Sequence, residues 1–198
     1  MSKSHTTWKE FPLAYTTQWK IMVNHFYNVH QAHVIRVNNN MELMVNHYRH
    51  ISPVYAELQE RLYVHDLSKL QEPEFTPYVW RIWRTRWRAN NHEANMMDMS
   101  PYFKDQSLDQ SIQDAVRYHI THNRHHPEWH MDSDDMSQVD IIEMVCDWYA
   151  MSQEFNSSID LWFNDVVPRR YNFGKKKPMV WQNIELIKQL AGDKSYDV

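Results

Sequence analysis

The chain has 198 residues, of which 42% are hydrophobic and 23% charged, enough for one domain with a sizeable core. Its 2 glycines against 8 prolines disfavour the turns and bulges of sheets, so we expect an all-α fold. The net charge of −4 disfavours nucleic acid as a partner. One cysteine excludes an internal disulfide, and no apolar stretch is long enough for a membrane span or a secretory signal.

Apolar side chains at steps of three and four residues predict a series of amphipathic helices. The first runs from about Tyr15 to His50, and the second begins near Pro53 with His65 and Asp66 on or beside its buried face. Further helices are predicted at about 108–122, 138–155 and 181–190. We expect a single domain over 1–198, with a motif core at about 28–155, an irregular insertion at 90–106, and a C-terminal helix and tail at 178–198.

A tryptophan- and arginine-rich segment follows the second helix, whose pattern we expect Pro73 and Pro77 to end. In VWRIWRTRWR, at 79–88, both residue types repeat at i, i+3 and i+7, which predicts a short helix with an aromatic face beside a basic one. Two interpretations stay open. The tryptophans are core and the arginines a solvated face, or the two faces bind the base and phosphate of a nucleotide.

The chain contains 13 histidines, several of them in clusters, and neutral imidazole is a common metal ligand in proteins. The pair His65–Asp66 is central, because burying a carboxylate is costly unless a cation or a metal compensates it. A divalent ion in a helical domain takes imidazole and carboxylate ligands from several helices. The remaining ligands could come from His33, from His119 or its neighbours, and from Asp147.

Alternatives stay open for several of these side chains. Buried histidines are also held by ordinary hydrogen bonds, and His125 and His126 could fix their loop in this way. Glu74 either assists proton transfer or supports the metal ligands from behind, or it is a solvated loop carboxylate. The rivals for the two outer ligand positions are His30 and His47 for His33, and Asp140 and Glu143 for Asp147.

Three motifs carry a resemblance to a known superfamily. In order, they are HVIRV from His33, HDLSK at 65–69 and EMVCDW at 143–148, and together they resemble the HD-domain superfamily of metal-dependent phosphohydrolases. HDLSK is similar to the HDxGK variant, with Ser68 in place of glycine. Over about 28–155, the longer segments HDLSKLQEPEFTPY, HNRHHPEW and EMVCDWYAMS resemble an uncharacterised family of phage and bacterial HD-like proteins.

The resemblance implies an HD-like helical bundle with a metal site between helices. It implies one or two divalent transition-metal ions (Mn, Fe, Co, Ni or Zn) as the cofactor. It further implies that Asp66 acts in catalysis and that Lys69 contacts the phosphate of the substrate. The implied ligands are His33, His65, Asp66 and Asp147 for a first metal, and His119, His125 and His126 for a second, with His122 as an alternative.

The resulting hypothesis is a metal-dependent phosphohydrolase that acts on a nucleotide or another small phosphorylated molecule. The first alternative is an HD-type non-haem di-iron oxygenase, and the second is a non-catalytic metal-binding protein. We expect the protein to be cytoplasmic, in a bacterium or a phage-infected cell, with no membrane partner.

Overall fold

A computed structural model describes residues 6–51, 53–89 and 97–192 of the chain. These residues form helices and no strand, which confirms the predicted all-α class. In this part of the chain, no helix combines the length and the apolar character needed to cross a bilayer. The α-helices are α1 (Phe11–Ala14), α2 (Thr16–Tyr48), α3 (Val54–Arg61), α4 (Phe75–Ala89), α5 (Ser100–Phe103), α6 (Gln106–His122), α7 (Gln138–Phe155), α8 (Ile159–Leu161), α9 (Val167–Arg170) and α10 (Lys177–Ala191). The remaining helical turns are the 3-10 turns Leu67–Leu70, Pro127–Trp129, Ser133–Asp135 and Gly174–Lys176 and the π-helical turn Trp162–Val166.

The chain divides into two compact units, which we describe separately. Unit 1 comprises residues 1–31 and 67–119, and unit 2 comprises residues 32–66 and 120–198. The single domain over 1–198 stays a prediction. Within the expected irregular insertion, residues 90–96 lie outside the described residues, but α5 is helical and α6 begins at its last position. Of the predicted C-terminal tail, residues 193–198 also lie outside the described residues.

In unit 1, the tryptophan repeat of α4 is core. Trp80, Trp83 and Trp87 are 0%, 2% and 9% exposed and pack in one apolar cluster, so these rings are not available to stack on a base. Pro77 does not end a helix as expected. It lies in the first turn of α4, where the backbone N–H that proline lacks would have no intrahelical partner.

In unit 2, α7 is the central helix and has the predicted bounds. It begins with a capping box, in which the Ser137 side chain accepts from the Asp140 N–H and the Asp140 side chain accepts from the Ser137 N–H. The residue after its last turn, Asn156, has a φ of 48°, the left-handed conformation common after helices. Its predicted apolar face is buried in the unit 2 core and consists of Val139, Ile142, Cys146 and Ala150.

The segment that carries His65 and Asp66 is a turn, which corrects the prediction that the second helix continues through it. Helix α3 ends at Arg61, and Leu62 already has the extended angles φ −56° and ψ 137°. Tyr63 then has a φ of 67°, which lies in the left-handed region and stops a right-handed helix. His65 and Asp66 therefore lie in an irregular turn over 62–66.

Candidate metal centre

Unit 2 contains a cluster of buried histidines and carboxylates. Its side chains come from α2, from the turn over 62–66, from the loop after α6 and from α7. Buried ionisable groups at this density require mutual compensation or a bound cation. The members, with their exposed fractions, are His33 (9%), His65 (1%), Asp66 (3%), His125 (3%), Glu143 (5%) and Asp147, whose side chain is 14% exposed.

Contacts with α2 hold the turn over 62–66 in place. The Tyr63 N–H donates to Asn38 Oδ1 at 3.2 Å, and the Tyr63 hydroxyl donates to Glu42. Asp66 has a φ of 58°, a left-handed conformation that aspartate adopts more readily than most residues. The turn thereby buries both side chains of the His65–Asp66 pair.

Four residues predicted as ligands of the first metal are brought together here. His33 Nε2 lies 3.2 Å from Asp147 Oδ1 and 3.7 Å from Asp66 Oδ2. His65 Nε2 lies 3.6 Å from Asp66 Oδ2 and 4.0 Å from Asp147 Oδ1. Ligand atoms bound to one ion at 2.0–2.2 Å are separated by roughly 3–3.5 Å. These four side chains therefore have nearly the spacing that one metal ion requires.

Glu143 organises the histidine rings of the cluster. His65 Nδ1 donates to Glu143 Oε1 at 3.2 Å, and His125 Nδ1 lies 3.3 Å from the same oxygen. An imidazole whose Nδ1 carries the proton presents the lone pair of Nε2 as its ligand atom. His125 Nε2 lies 3.8 Å from Asp66 Oδ1. The sequence indicated Glu143 only as a rival of Asp147 on the same acidic strip.

The charges of the cluster leave room for a cation. Arg61 Nη1 lies 3.0 Å from Glu143 Oε2 and 2.7 Å from Asp140 Oδ1, and Arg124 also binds Asp140, at 3.2 Å. Two guanidinium groups thus face these two carboxylates. Asp66 and Asp147 face imidazoles instead. Two carboxylates among imidazoles match the charge and ligand preference of a divalent transition metal.

Without a metal, the histidines themselves compensate the carboxylates. Burial alone would lower the pKa of His65, but the charge of Asp66 and the hydrogen bond to Glu143 outweigh burial and raise it to about 9. Burial alone would raise the pKa of Asp147. The hydrogen bond from His33 and the charge of His65 outweigh that effect and hold the pKa well below its ordinary range. The Asp147 carboxylate therefore stays ionised and available to a cation.

His119 and Glu74 form a buried pair in unit 1. His119 is 2% and Glu74 0% exposed, and His119 Nδ1 donates to Glu74 Oε2 at 2.8 Å. Ser68 Oγ lies 3.3 Å from the same Nδ1, so it is not placed on the opposite ring nitrogen, as a nucleophilic serine would be. Because Glu74 is fully buried, the interpretation of Glu74 as a solvated loop carboxylate is wrong. The role of His119 as a metal ligand stays a prediction.

The other predicted site residues have varied surroundings. Lys69 is half-buried in unit 1, with Nζ 5.2 Å from the centre of the Tyr78 ring, and its predicted phosphate contact stays a prediction.

In unit 2, His126 is half-buried beside His125, with the ring centroids 4.2 Å apart. Its role as a ligand stays a prediction too. The rival His47 is exposed and packs on Tyr48, and the alternative His122 is also exposed.

Comparison with known proteins places the chain in a family. The family model described as "Family of unknown function (DUF5662)" matches residues 22–189, which include every residue of the cluster. No curated protein and no solved structure matches the chain. The chain therefore belongs to the DUF5662 family, whose function is unknown.

Proposed function

We propose that this protein is a metal-dependent phosphohydrolase that acts on a nucleotide or another small phosphorylated molecule. The observation that carries the proposal is the cluster of His33, His65, Asp66 and Asp147, whose side-chain N and O atoms lie 3.2–4.0 Å apart. The resemblance of the three motifs, HVIRV from His33, HDLSK at 65–69 and EMVCDW at 143–148, to the HD-domain superfamily of metal-dependent phosphohydrolases favours phosphate hydrolysis among the reactions that such a metal could support.

The chemistry of the side chains fits a transition metal. His65 Nε2 is fully buried and has no hydrogen-bond partner within the described residues, as expected for an atom whose partner is an ion. Imidazole mixed with carboxylate suits Mn, Fe, Co, Ni or Zn better than Mg. Asp66 Oδ2 faces His33 and His65, whereas its Oδ1 faces His125. Asp66 would therefore hold an ion together with His33 and His65, and His125 would lie beside it.

The residues of the cluster have distinct roles in the proposed reaction. A bound divalent ion would supply Lewis-acid stabilisation of the phosphoryl oxygens and a water of lowered pKa. Asp66 would accept a hydrogen bond from that water and orient it toward phosphorus. Glu143 would keep the Nδ1 protons of His65 and His125 in place. By the resemblance, Lys69 would neutralise charge on the phosphate.

The ligand chemistry also favours a second candidate function. Three imidazoles and two carboxylates suit iron as well as manganese or cobalt. An HD-type non-haem di-iron oxygenase is therefore the alternative reaction. A non-catalytic metal-binding protein is the third candidate. The metal that the protein binds and the reaction it supports separate the three.

Elemental analysis of the purified protein is the first test. We expect one or two transition-metal ions per chain in the wild type, and none in His65→Ala or Asp66→Asn. His50→Ala, which removes an exposed histidine, is the matched control and should keep the metal. If His65→Ala and Asp66→Asn both retain the full amount of bound metal, the proposed assignment of the metal centre is wrong.

Activity assays on the metal-loaded protein are the second test. Release of inorganic phosphate is measured for a panel of nucleotides and phosphomonoesters with each metal in turn, and oxygen consumption is measured with iron. Phosphate release that His65→Ala abolishes supports the hydrolase. Oxygen consumption without phosphate release supports the oxygenase, and neither activity in a metal-loaded protein supports the non-catalytic alternative.

A further inference from the structure

One carboxylate oxygen in unit 2 receives hydrogen bonds from two different imidazoles. Glu143 Oε1 lies 3.2 Å from His65 Nδ1 and 3.3 Å from His125 Nδ1. The two rings lie against each other, with centroids 4.5 Å apart. Because both donors share one acceptor atom, the orientations of the two rings depend on the same side chain.

The shared acceptor directs both rings toward Asp66. His65 Nε2 lies 3.6 Å from Asp66 Oδ2, and His125 Nε2 lies 3.8 Å from Asp66 Oδ1. If either ring rotated by half a turn about its Cβ–Cγ bond, a carbon atom would replace the nitrogen that faces the aspartate. The hydrogen bonds to Glu143 oppose that rotation.

The second oxygen of Glu143 is held separately. Arg61 Nη1 donates to Glu143 Oε2 at 3.0 Å. The same guanidinium lies 2.7 Å from Asp140 Oδ1 and 2.7 Å from Glu57 Oε1, and this fixes its position. Arg61 therefore anchors one oxygen of Glu143, while the other oxygen serves the histidines.

We infer that Glu143 is a positioning residue that sets the ring orientation and the Nδ1–H tautomer of both His65 and His125, and that Arg61 holds it in place for that role. This inference rests on the proposed metal centre. A hydrogen-bonded carboxylate behind a single ligand histidine contributes about 10- to 100-fold to metal affinity. Since Glu143 supports two rings, its loss affects both at once.

The variant Glu143→Gln tests this role with little change in shape. A glutamine has one acceptor oxygen, and its amide NH₂ cannot accept a hydrogen bond from Arg61 or from a histidine. Arg61 keeps Asp140 and Glu57 as partners in this variant, so its charge remains compensated.

Glu154→Gln is the matched control on the same helix. Its carboxylate pairs with Arg36 at 3.3 Å, and the distance of 3.8 Å from Glu154 Oε2 to His33 Nδ1 is too long for a hydrogen bond. The control therefore removes one negative charge from α7 without removing an acceptor from a histidine ring.

Cobalt(II) is the probe for both measurements. Its affinity is obtained by competition with a chelator, and proton NMR of the cobalt-loaded protein detects the shifted, solvent-exchangeable N–H protons of the ligand imidazoles. We expect Glu143→Gln to bind cobalt about 10- to 100-fold more weakly and to lose two of these N–H signals, or to exchange them faster. Glu154→Gln should match the wild type in both.

The outcomes separate this inference from the proposed function. If Glu143→Gln binds cobalt as tightly as the wild type and keeps all N–H signals while His65→Ala loses the metal, Glu143 does not position the ligands, although the metal centre stands. If His65→Ala also keeps the metal, the proposed function itself is wrong. Glu143→Asp repeats the test if the glutamine variant does not fold, because it keeps a charge for Arg61 but withdraws the oxygen from the rings.

Discussion

His33 Nε2 lies 3.2 Å from Asp147 Oδ1, so the middle of α2 meets the middle of α7 at the candidate metal centre of unit 2. Two turns earlier on α7, Asp140 has a different environment. It accepts from Arg61 and Arg124 and belongs to the capping box of the helix. One acidic strip thus contains a candidate metal ligand and a structural ion pair.

This difference predicts opposite consequences for two matched substitutions. Asp147→Asn should lose the bound metal and any metal-dependent activity, because the amide presents a weaker ligand and leaves the cation undercompensated. Asp140→Asn should keep the metal but unfold more easily, by about 1–3 kcal/mol, because charged hydrogen bonds and part of the helix cap are lost. Elemental analysis and urea unfolding measure the two effects. The reverse ranking would mean that the ligand lies on the earlier turn.

The lowered pKa of Asp140 leads us to expect that the free energy of unfolding decreases in acid. Burial alone would raise its pKa, but hydrogen bonds from Arg124, Ser137 and Arg61 outweigh burial and hold the pKa below 3.8. A carboxyl whose pKa is lowered by folding stabilises the protein above its unfolded pKa, and this contribution is lost as the pH falls through the folded pKa. The difference in unfolding free energy between wild type and Asp140→Asn should therefore be constant from about pH 7 to about pH 5 and shrink below about pH 4.

Unfolding of the metal-free protein across this pH range checks the prediction. Besides Arg61 and Arg124, His130 also faces Asp140, with Nε2 3.8 Å from Oδ2, so the series is repeated in His130→Gln. A difference that stays constant down to pH 2 in both backgrounds would show that the ionised carboxylate adds nothing to stability.

The buried pair in unit 1 predicts strong energetic coupling. Glu74 Oε2 accepts from His119 Nδ1 at 2.8 Å, and Glu74 Oε1 is buried with no hydrogen-bond partner in the described part of the chain. Glu74→Met or His119→Leu leaves the other group without this bond, at a cost of about 1–3 kcal/mol. The double variant should lose less than the sum of the single variants. Additive losses in urea unfolding would contradict this coupling.

Lys69→Met tests the contact with phosphate that the resemblance implies. The variant should keep its bound metal, because lysine is not among the expected ligands, and should turn over a phosphorylated substrate more slowly. Inorganic phosphate should also inhibit it less than the wild type. Lys175→Met, which removes an exposed lysine of unit 2, is the control. Normal turnover would remove the proposed role, and metal loss would show that Lys69 supports the structure instead.

The elements predicted well are those whose signals are local in sequence. Helix α7 has a capping box at Ser137 and Asp140 and a continuous apolar face, so its bounds followed from neighbouring residues. The turn over 62–66 could not be predicted from neighbouring residues, because Leu58, Leu62 and His65 keep a helical spacing although the chain leaves the helix after Arg61. A contact distant in sequence holds that turn, namely the hydrogen bond from the Tyr63 N–H to Asn38.

The candidate site, too, was predictable only where its residues belong to motifs that are local in sequence. His33, His65, Asp66 and Asp147 could be named because each belongs to a recognisable motif, and the structure brings them together. The proposed positioning role of Glu143 could not be predicted, because the sequence does not show that the rings of His65 and His125 converge on one carboxylate oxygen. The sequence also does not show which of the adjacent loop residues His125 and His126 is buried. In the structure, His125 is buried and His126 is half-buried.

The left-handed backbone at Asp66 has a consequence for how this family diverges. Asparagine and glycine adopt such a conformation readily, whereas most other residues add about 1–2 kcal/mol of strain. Backbone geometry therefore favours aspartate, asparagine or glycine at this position, whereas the proposed metal centre requires the charged side chain of aspartate. Under the proposed function, relatives with asparagine or glycine here would keep the turn but lack the carboxylate ligand, so this position should distinguish metal-binding members of the family from members that retain only the fold.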